Sequence, residues 1–382
     1  MADVTHKIKN NLLTALQQVE HNLSMAKYKA KEKLHLLDPV NIMPYYGFGN
    51  DKYVYVKGRV LENEKLKKSK DEDSTLTHLV NTYKRYESDE IPGIKLTATF
   101  AGQKIELETD PEGFFEAEFR TDAPFDYSST GYKIKLTLQE QKTAEDRTEA
   151  EAHVFVPGED AAFGIISDID DTVLVSKIAH FLERLKLMLT KNATERSPFS
   201  GIAGFLRALC KGSDNSRQNP LFFVSGSEWN LYDLLISFFR SHNIPEGPLF
   251  LRDKGIRLNE GYLETSGQEY KRDRIRHILD TYPSLRFICI GDSGQHDPEV
   301  YQQITQDYPG RILGIYIRDV SPNKRDKEVR AIAEQVKEQG VEMELVEETF
   351  SAAKHAVKMG WINETQLEDV RQACEEDEQQ ES

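Results

Sequence analysis

Phe163-Gly164-Ile165-Ile166-Ser167-Asp168-Ile169-Asp170-Asp171-Thr172 decides the reading of this chain. The apolar first half, bounded by Gly164 and then by acids, predicts a short buried strand. The second half sets Asp168, Asp170 and Asp171 where that strand ends. Carboxylates this close raise one another's pKa and repel unless positive charge sits among them. A bound metal cation is the simplest offset, and open α/β sheets bind ligands at the carboxyl ends of their parallel strands. The alternative is a polar turn that is acidic for no chemical reason.

Later segments repeat the pattern. Residues 220–224 predict a second buried strand, running into Ser225-Gly226-Ser227-Glu228-Trp229-Asn230-Leu231-Tyr232. A hydroxyl at a strand end, with glycine letting backbone N–H groups approach, can cradle a phosphoryl group at a helix start. An ordinary turn reads the same way, and Trp229 fits either a core anchor or a pocket wall. Lys271 opens a predicted helix over 271–279, where a cation opposes the helix dipole. A nearby anion would hold it there; a solvated charge is the alternative. Residues 286–290 predict a further buried strand, ending in Gly291-Asp292-Ser293-Gly294-Gln295-His296-Asp297-Pro298. This supplies a late acidic pair, Asp292 and Asp297. His296 between them reads as structural or supporting, with polarisation of the site as the other option.

The order Asp168-x-Asp170-x-Thr172, Ser225, Lys271, Asp292 with Asp297 resembles the haloacid dehalogenase (HAD) superfamily of phosphotransferases. The finer text is similar to the actin-patch type of phosphatidate phosphatase within it. The stretches that carry this are Ser167-Asp168-Ile169-Asp170-Asp171-Thr172, Phe223 to Tyr232, Leu251-Arg252-Asp253-Lys254-Gly255, Gly291 to Tyr301, and Tyr316-Ile317-Arg318-Asp319-Val320. The resemblance covers residues 160–320. It departs at Tyr270, where the family carries histidine before the lysine.

The resemblance implies a chemistry. Asp168 attacks phosphorus and forms an aspartyl-phosphate. Asp170 protonates the leaving oxygen and then activates the water that hydrolyses the intermediate. Ser225, Gly226 and Lys271 hold the phosphoryl oxygens. Mg²⁺ is held by Asp168, the backbone carbonyl of Asp170 and Asp292, with Asp297 as a ligand or a support for one. Magnesium suits a donor set of carboxylate and carbonyl oxygens without thiolates. Asp171 and Thr172 shape the loop. The implied reaction is phosphatidate to diacylglycerol and phosphate. A soluble phosphomonoester, a phosphoprotein, or a binding module with a vestigial phosphatase domain are the alternatives.

The rest of the chain is read around this core. At 382 residues, two domains are expected. The fold expected is α/β: a HAD-like parallel-sheet catalytic domain over 160–372, preceded by a small β-sandwich-like domain over 45–157 and an amphipathic N-terminal helix within 1–40. Apolar residues at three- and four-residue steps from Ile8 to Leu37 mark that helix, and Asp38-Pro39 stops it. Alternating stretches such as Lys133-Ile134-Lys135-Leu136-Thr137-Leu138 mark half-buried antiparallel strands. The polar run over 62–77 interrupts them as a loop and short helix. Residues 157–160 read as a linker. An amphipathic helix with a basic rim over 178–189 reads as core packing or as a lid over the site. Further strands are expected at 311–317 and 341–346, then helices at 351–359 and 365–374. Residues 375–382 read as an acidic disordered tail.

A formal net charge of −15 argues against a general nucleic-acid binder. Three widely spaced cysteines, Cys210, Cys289 and Cys374, fit a reducing compartment and form no zinc set. No apolar run is long enough to span a bilayer and the N-terminus lacks a signal-peptide core. The expectation is a cytoplasmic protein that meets a phospholipid substrate at a membrane surface. A protein partner could dock through the β-domain or the N-terminal helix.

Overall fold

The computed structural model describes residues 39–62, 91–127, 132–144, 146–158, 160–169, 172–173, 200–216, 218–252, 267–320 and 325–381. The expected N-terminal helix, most of the polar run after Glu62, the helix over 178–189, and Asp170 and Asp171 lie outside them. The chain divides into two compact units, with the break at Val156/Pro157.

The first unit is built of strands: β1 (Val40–Pro44), β2 (Gly47–Gly49), β3 (Tyr53–Glu62), β4 (Lys95–Phe100), β5 (Gln103–Glu108), β6 (Phe114–Arg120), β7 (Lys133–Leu138) and β8 (Glu149–Phe155). Period-two patterning does the work. In β7, Ile134, Leu136 and Leu138 are buried while Lys133 and Lys135 are exposed. Ala101 and Gly102, both at positive φ, turn β4 back onto β5. The strands form one eight-stranded sheet in the order β1-β3-β2-β8-β7-β4-β5, with β6 on β3. Neighbours run antiparallel except β2 and β8, which are parallel. One apolar core joins most of these strands: Val54, Val56, Leu96, Phe100, Phe119 and Leu136 belong to a single cluster. Phe100 and Phe119 meet there with ring centroids 5.5 Å apart.

The second unit is a six-stranded parallel sheet: β9 (Gly164–Ser167), β10 (Leu221–Glu228), β11 (Leu249–Arg252), β12 (Phe287–Asp292), β13 (Ile312–Arg318) and β14 (Glu342–Val346), in the order β11-β10-β9-β12-β13-β14. All its pairings are parallel. The helices are α1 (Ile202–Lys211), α2 (Tyr232–Ser241), α3 (Gly267–Thr281), α4 (Asp297–Asp307), α5 (Asp326–Lys337), α6 (Thr349–Lys358) and α7 (Glu364–Glu381). β9 and β12 are buried along their whole length, as continuous apolar runs require of strands covered on both faces. Gly164 is needed where it stands, since a Cβ there would lie 2.3 Å from the Phe287 ring of β12. The chain moves outward from β9 through β10 to β11, then returns to β12 on the other side of β9. That reversal creates the crevice where such sheets bind ligands, at the carboxyl ends of β9 and its neighbours.

Three expectations are corrected. β10 does not stop at Val224 but continues through Ser225-Gly226-Ser227 to Glu228, and a short 3-10 turn, Trp229–Leu231, precedes α2. The register with β11 shifts between Val224 and Glu228, so the strand is irregular where the hydroxyls sit. Lys271 is in the second turn of α3, which begins at Gly267, so it does not face the open helix end. The acidic tail is helical, because α7 runs on to Glu381. Glu and Gln are good helix formers and no Gly or Pro interrupts them. Arg371 pairs with both Glu368 and Glu375 one turn away, and Asp377 accepts the Gly201 N–H at the start of α1 at 2.8 Å. α5 was not anticipated from the sequence, nor were β1 and β2.

Candidate active site

Asp168 directly follows β9, and the adjacent strand β12 ends in Asp292. The register Ser167↔Ile290 places the two strand ends side by side. The Asp168 N–H donates to the Ile290 carbonyl at 2.9 Å, which extends the pairing one residue past β9. Ser167 Oγ donates to the Asp168 carbonyl at 2.8 Å. Asp168, Asp292 and Asp297 are all fully buried. Each offers a carboxylate oxygen within 4.8 Å of the others.

The loop after β12 is built around these acids. Asp292 Oδ1 accepts the N–H groups of Gly294 and Gln295 at 2.7 and 2.8 Å. This folds the chain back so that α4 begins at Asp297. The Asp297 Oδ2 then accepts the Asp292 N–H at 3.1 Å. Gly291 makes that approach possible: a Cβ there would lie 2.5 Å from Asp297 Oδ2. Tyr301, one turn into α4, donates its hydroxyl to the Ile290 carbonyl at 2.8 Å.

Lys271 enters from α3. Its ammonium, buried with the acids, lies 2.8 Å from Asp168 Oδ1 and 2.6 Å from Asp297 Oδ1. It also donates to Gln295 Oε1 at 3.3 Å. Burial alone would favour its neutral form, but Asp168 and Asp297 outweigh that and hold it charged, with its pKa above the ordinary lysine value. Asp292 goes the other way: burial first, and then the Asp297 charge, push its pKa up to about 7. Three carboxylates face one ammonium, so the fully ionised cluster carries an excess of two negative charges. Asp292 Oδ2 is buried without a hydrogen-bond partner among the described residues. A small divalent cation fits this donor set: hard oxygens, one of them unclaimed, and a charge deficit of the right size.

The other expected residues divide. Ser225 is fully buried on β10, two positions beyond Phe223, which pairs with Ser167. It therefore lies within β10 just past the level where β9 ends, and its Oγ accepts the Ser227 N–H at 2.9 Å. Gly226 is exposed, with open space where a side chain would be. His296 is a surface residue, its side chain 60% exposed and 3.9 Å from Glu299. Trp229 is buried and stacks on Tyr232, as a core anchor does. Tyr270, where the family carries histidine, donates its hydroxyl to the Leu251 carbonyl at the end of β11, at 2.6 Å. Thr172 is buried.

Three residues that shape the loop were not singled out from the sequence. Arg325 donates to the Ser293 carbonyl at 3.1 Å, to the Gln295 carbonyl, and to Glu299. Ser293 Oγ donates to Asp319 at 3.2 Å and accepts the Val320 N–H at 3.1 Å. The Arg318-Asp319-Val320 stretch noted in the sequence thus fastens the loop to the end of β13. Gln295 touches the lysine. Nothing in local pattern marks Arg325, which only the fold brings to the loop; Gln295 lies in the loop itself, and only the fold brings Lys271 to it.

The residues of this site lie within a stretch that is similar to known proteins. Residues 163–319 match the family described as the catalytic domain of phosphatidate phosphatase APP1. Phosphatidate phosphatase APP1 of Saccharomyces cerevisiae is 30% identical over 163 residues, covering 43% of this chain and 27% of that protein. An uncharacterized protein of Schizosaccharomyces pombe is 28% identical over 242 residues, covering 61% of this chain and 38% of its own length. The chain thus aligns with well under half of the length of either relative. Among solved structures, a carbohydrate acetylesterase from Xanthomonas citri aligns with 76% of this chain and 72% of its own at 11% identity and a TM-score of 0.25, a likeness that carries nothing about fold or function. Residues 163–319 are therefore similar to the catalytic domain of the APP1-type phosphatidate phosphatases.

Proposed function

We propose that this chain is a Mg²⁺-dependent phosphatase that hydrolyses phosphatidate to diacylglycerol and phosphate, with a HAD-like catalytic domain and a β-sandwich-like domain before it. The observation that carries the reading is the convergence of Asp168, Asp292 and Asp297 within 4.8 Å at adjacent strand ends, with Lys271 among them.

Asp168 is the nucleophile. Its carboxylate bonds to phosphorus as the ester oxygen leaves, giving an aspartyl-phosphate. Asp170, which lies outside the described residues, gives its proton to the leaving oxygen and later takes one from the attacking water. Lys271, with Ser225 and Gly226 at the next strand end, faces the negative charge of the phosphoryl group, since catalysis here is mainly positioning and charge stabilisation. Asp168, the Asp170 carbonyl and Asp292 would hold Mg²⁺, with Asp297 beside them. The cation, when bound, offsets the repulsion between a carboxylate nucleophile and an anionic ester. Asp297 keeps Lys271 charged and the loop folded.

No described helix is long and apolar enough to cross a membrane, so phosphatidate would be met at the membrane surface, from the cytoplasmic side. The three cysteines are free thiols, which suits that compartment. The test is phosphate release from phosphatidate in mixed micelles against a soluble aryl phosphate, with and without Mg²⁺, and with Asp168→Asn as control. Mg²⁺-dependent release that prefers the lipid supports the reading. Equal or faster turnover of the soluble ester moves the substrate to soluble phosphomonoesters, and activity retained by Asp168→Asn removes the mechanism.

A further inference from the structure

Lys271 is the group read above as binding the phosphoryl oxygens, yet its ammonium is already engaged. It carries three hydrogens, and three oxygens surround it: Asp297 Oδ1 at 2.6 Å, Asp168 Oδ1 at 2.8 Å and Gln295 Oε1 at 3.3 Å. A phosphoryl oxygen can reach it only if one of these yields. The two aspartates are buried charges, and separating a buried ion pair is costly. Gln295 is neutral, at the longest distance and only half-buried, so its hydrogen bond is the weakest of the three.

The backbone around Gln295 is fixed by stronger bonds than its side chain, which is held by the 3.3 Å bond from Lys271. The Gln295 N–H donates to Asp292 Oδ1 at 2.8 Å, and its carbonyl accepts from Arg325. Only the side chain can leave without unfolding the loop. On the reading given above, we propose that Gln295 is a placeholder for the phosphoryl group: its Oε1 satisfies the third hydrogen of Lys271 in the resting site and gives way to a phosphoryl oxygen on binding. The exchange makes phosphate weaker as a bound product than an unengaged lysine would. Gln295 is thus a determinant of phosphoryl affinity and of product release.

The test is binding of inorganic phosphate to the full chain in Mg²⁺, followed by calorimetry, alongside KM and kcat for wild type, Gln295→Ala and Gln295→Glu. Ala removes the competing acceptor, so phosphate should bind about fivefold tighter, by the strength of one neutral hydrogen bond, with KM falling alike. Glu supplies a charged competitor and repels the anion, so phosphate should bind at least about tenfold weaker. A loop that is merely loosened would weaken binding in both variants. Shifts in opposite directions support the placeholder; shifts in the same direction, or none, overturn it. A wild type that neither binds phosphate nor releases it from any ester overturns the phosphatase reading itself, and this inference with it.

Discussion

Two buried lysines separate the halves of this molecule. Lys57, on β3 of the strand-rich unit, is 3% exposed and meets Glu116 of β6 at 3.0 Å, with the Phe114 ring 5.0 Å away. Glu116 keeps 32% of its side chain in solvent. Lys271, beside β9 and β12, is 7% exposed and meets two aspartates that are both fully buried. The first lysine faces a partner that water can still reach. The second sits in an acid cluster whose charge exceeds its own, with a further buried carboxylate oxygen lacking a hydrogen-bond partner among the described residues. A fold gains nothing by gathering three acids around one lysine, since unpaired buried charge is destabilising. The proposed cation would offset that excess.

The contrast predicts effects of graded size. Asp168→Asn should lower turnover by at least about a thousandfold, as loss of a nucleophile does. The same change removes one of three like charges, so the Mg²⁺-free unfolding midpoint in urea should not fall. A variant that loses activity together with its fold would place Asp168 with structural residues such as Lys57. Lys271→Met leaves the buried carboxylates without their cation. It should cost about 3–5 kcal/mol in urea unfolding without Mg²⁺, and much of this should return when Mg²⁺ is added. Lys57→Met should cost roughly 1 kcal/mol, because Glu116 regains water, and Mg²⁺ should not restore it. Equal losses at the two lysines would erase the distinction.

Two carboxylates, one from each unit, respond to pH with opposite sign. In the folded protein Asp292 titrates at about 7, raised first by burial and then by Asp297. Its folded form holds a proton more tightly than the unfolded chain does. The associated stability is present below the ordinary carboxylate pKa and is lost as pH rises through 7. On the proposed reading Mg²⁺ would compete with that proton, so stabilisation by Mg²⁺ in thermal melts should grow across the same window. In the strand-rich unit, the Lys133 hydrogen bond and charge hold Glu151 below its ordinary pKa. That contribution is present above the ordinary value and fades as pH falls through the lowered one. The smallest effect belongs to the exposed pair Lys135 and Glu149, 2.7 Å apart. Glu149→Gln should change stability by less than about 0.5 kcal/mol.

The sequence made the acids legible because each stands where an apolar strand stops. Asp168 stands just past Ile165-Ile166 and Asp292 just past Ile288-Cys289-Ile290, so both positions could be read from the apolar pattern, while their convergence on one site was implied by the resemblance to the HAD motif order. The alternation in β7 made its inward face equally plain. Other features depend on contacts between distant segments. Arg325 belongs to no local pattern and Gln295 is an unmarked position inside the quoted loop stretch, and their meaning arises only when Arg325 and Lys271 meet the β12 loop. Ser225-Gly226-Ser227 has the composition of a turn but is drawn into β10 by its neighbours. The acidic stretch after Cys374 reads as disordered by charge, yet Asp377 meets the Gly201 N–H across the fold and the helix persists.

The cation claim is tested most directly by titrating the full chain with Mg²⁺ in a calorimeter, at a pH above 7 where Asp292 is ionised, for wild type and Asp292→Asn. The account predicts a single binding event in wild type that is lost or greatly weakened in the variant, while both proteins stay folded by circular dichroism. Absence of binding by the wild type, or equal binding by the two, would contradict it.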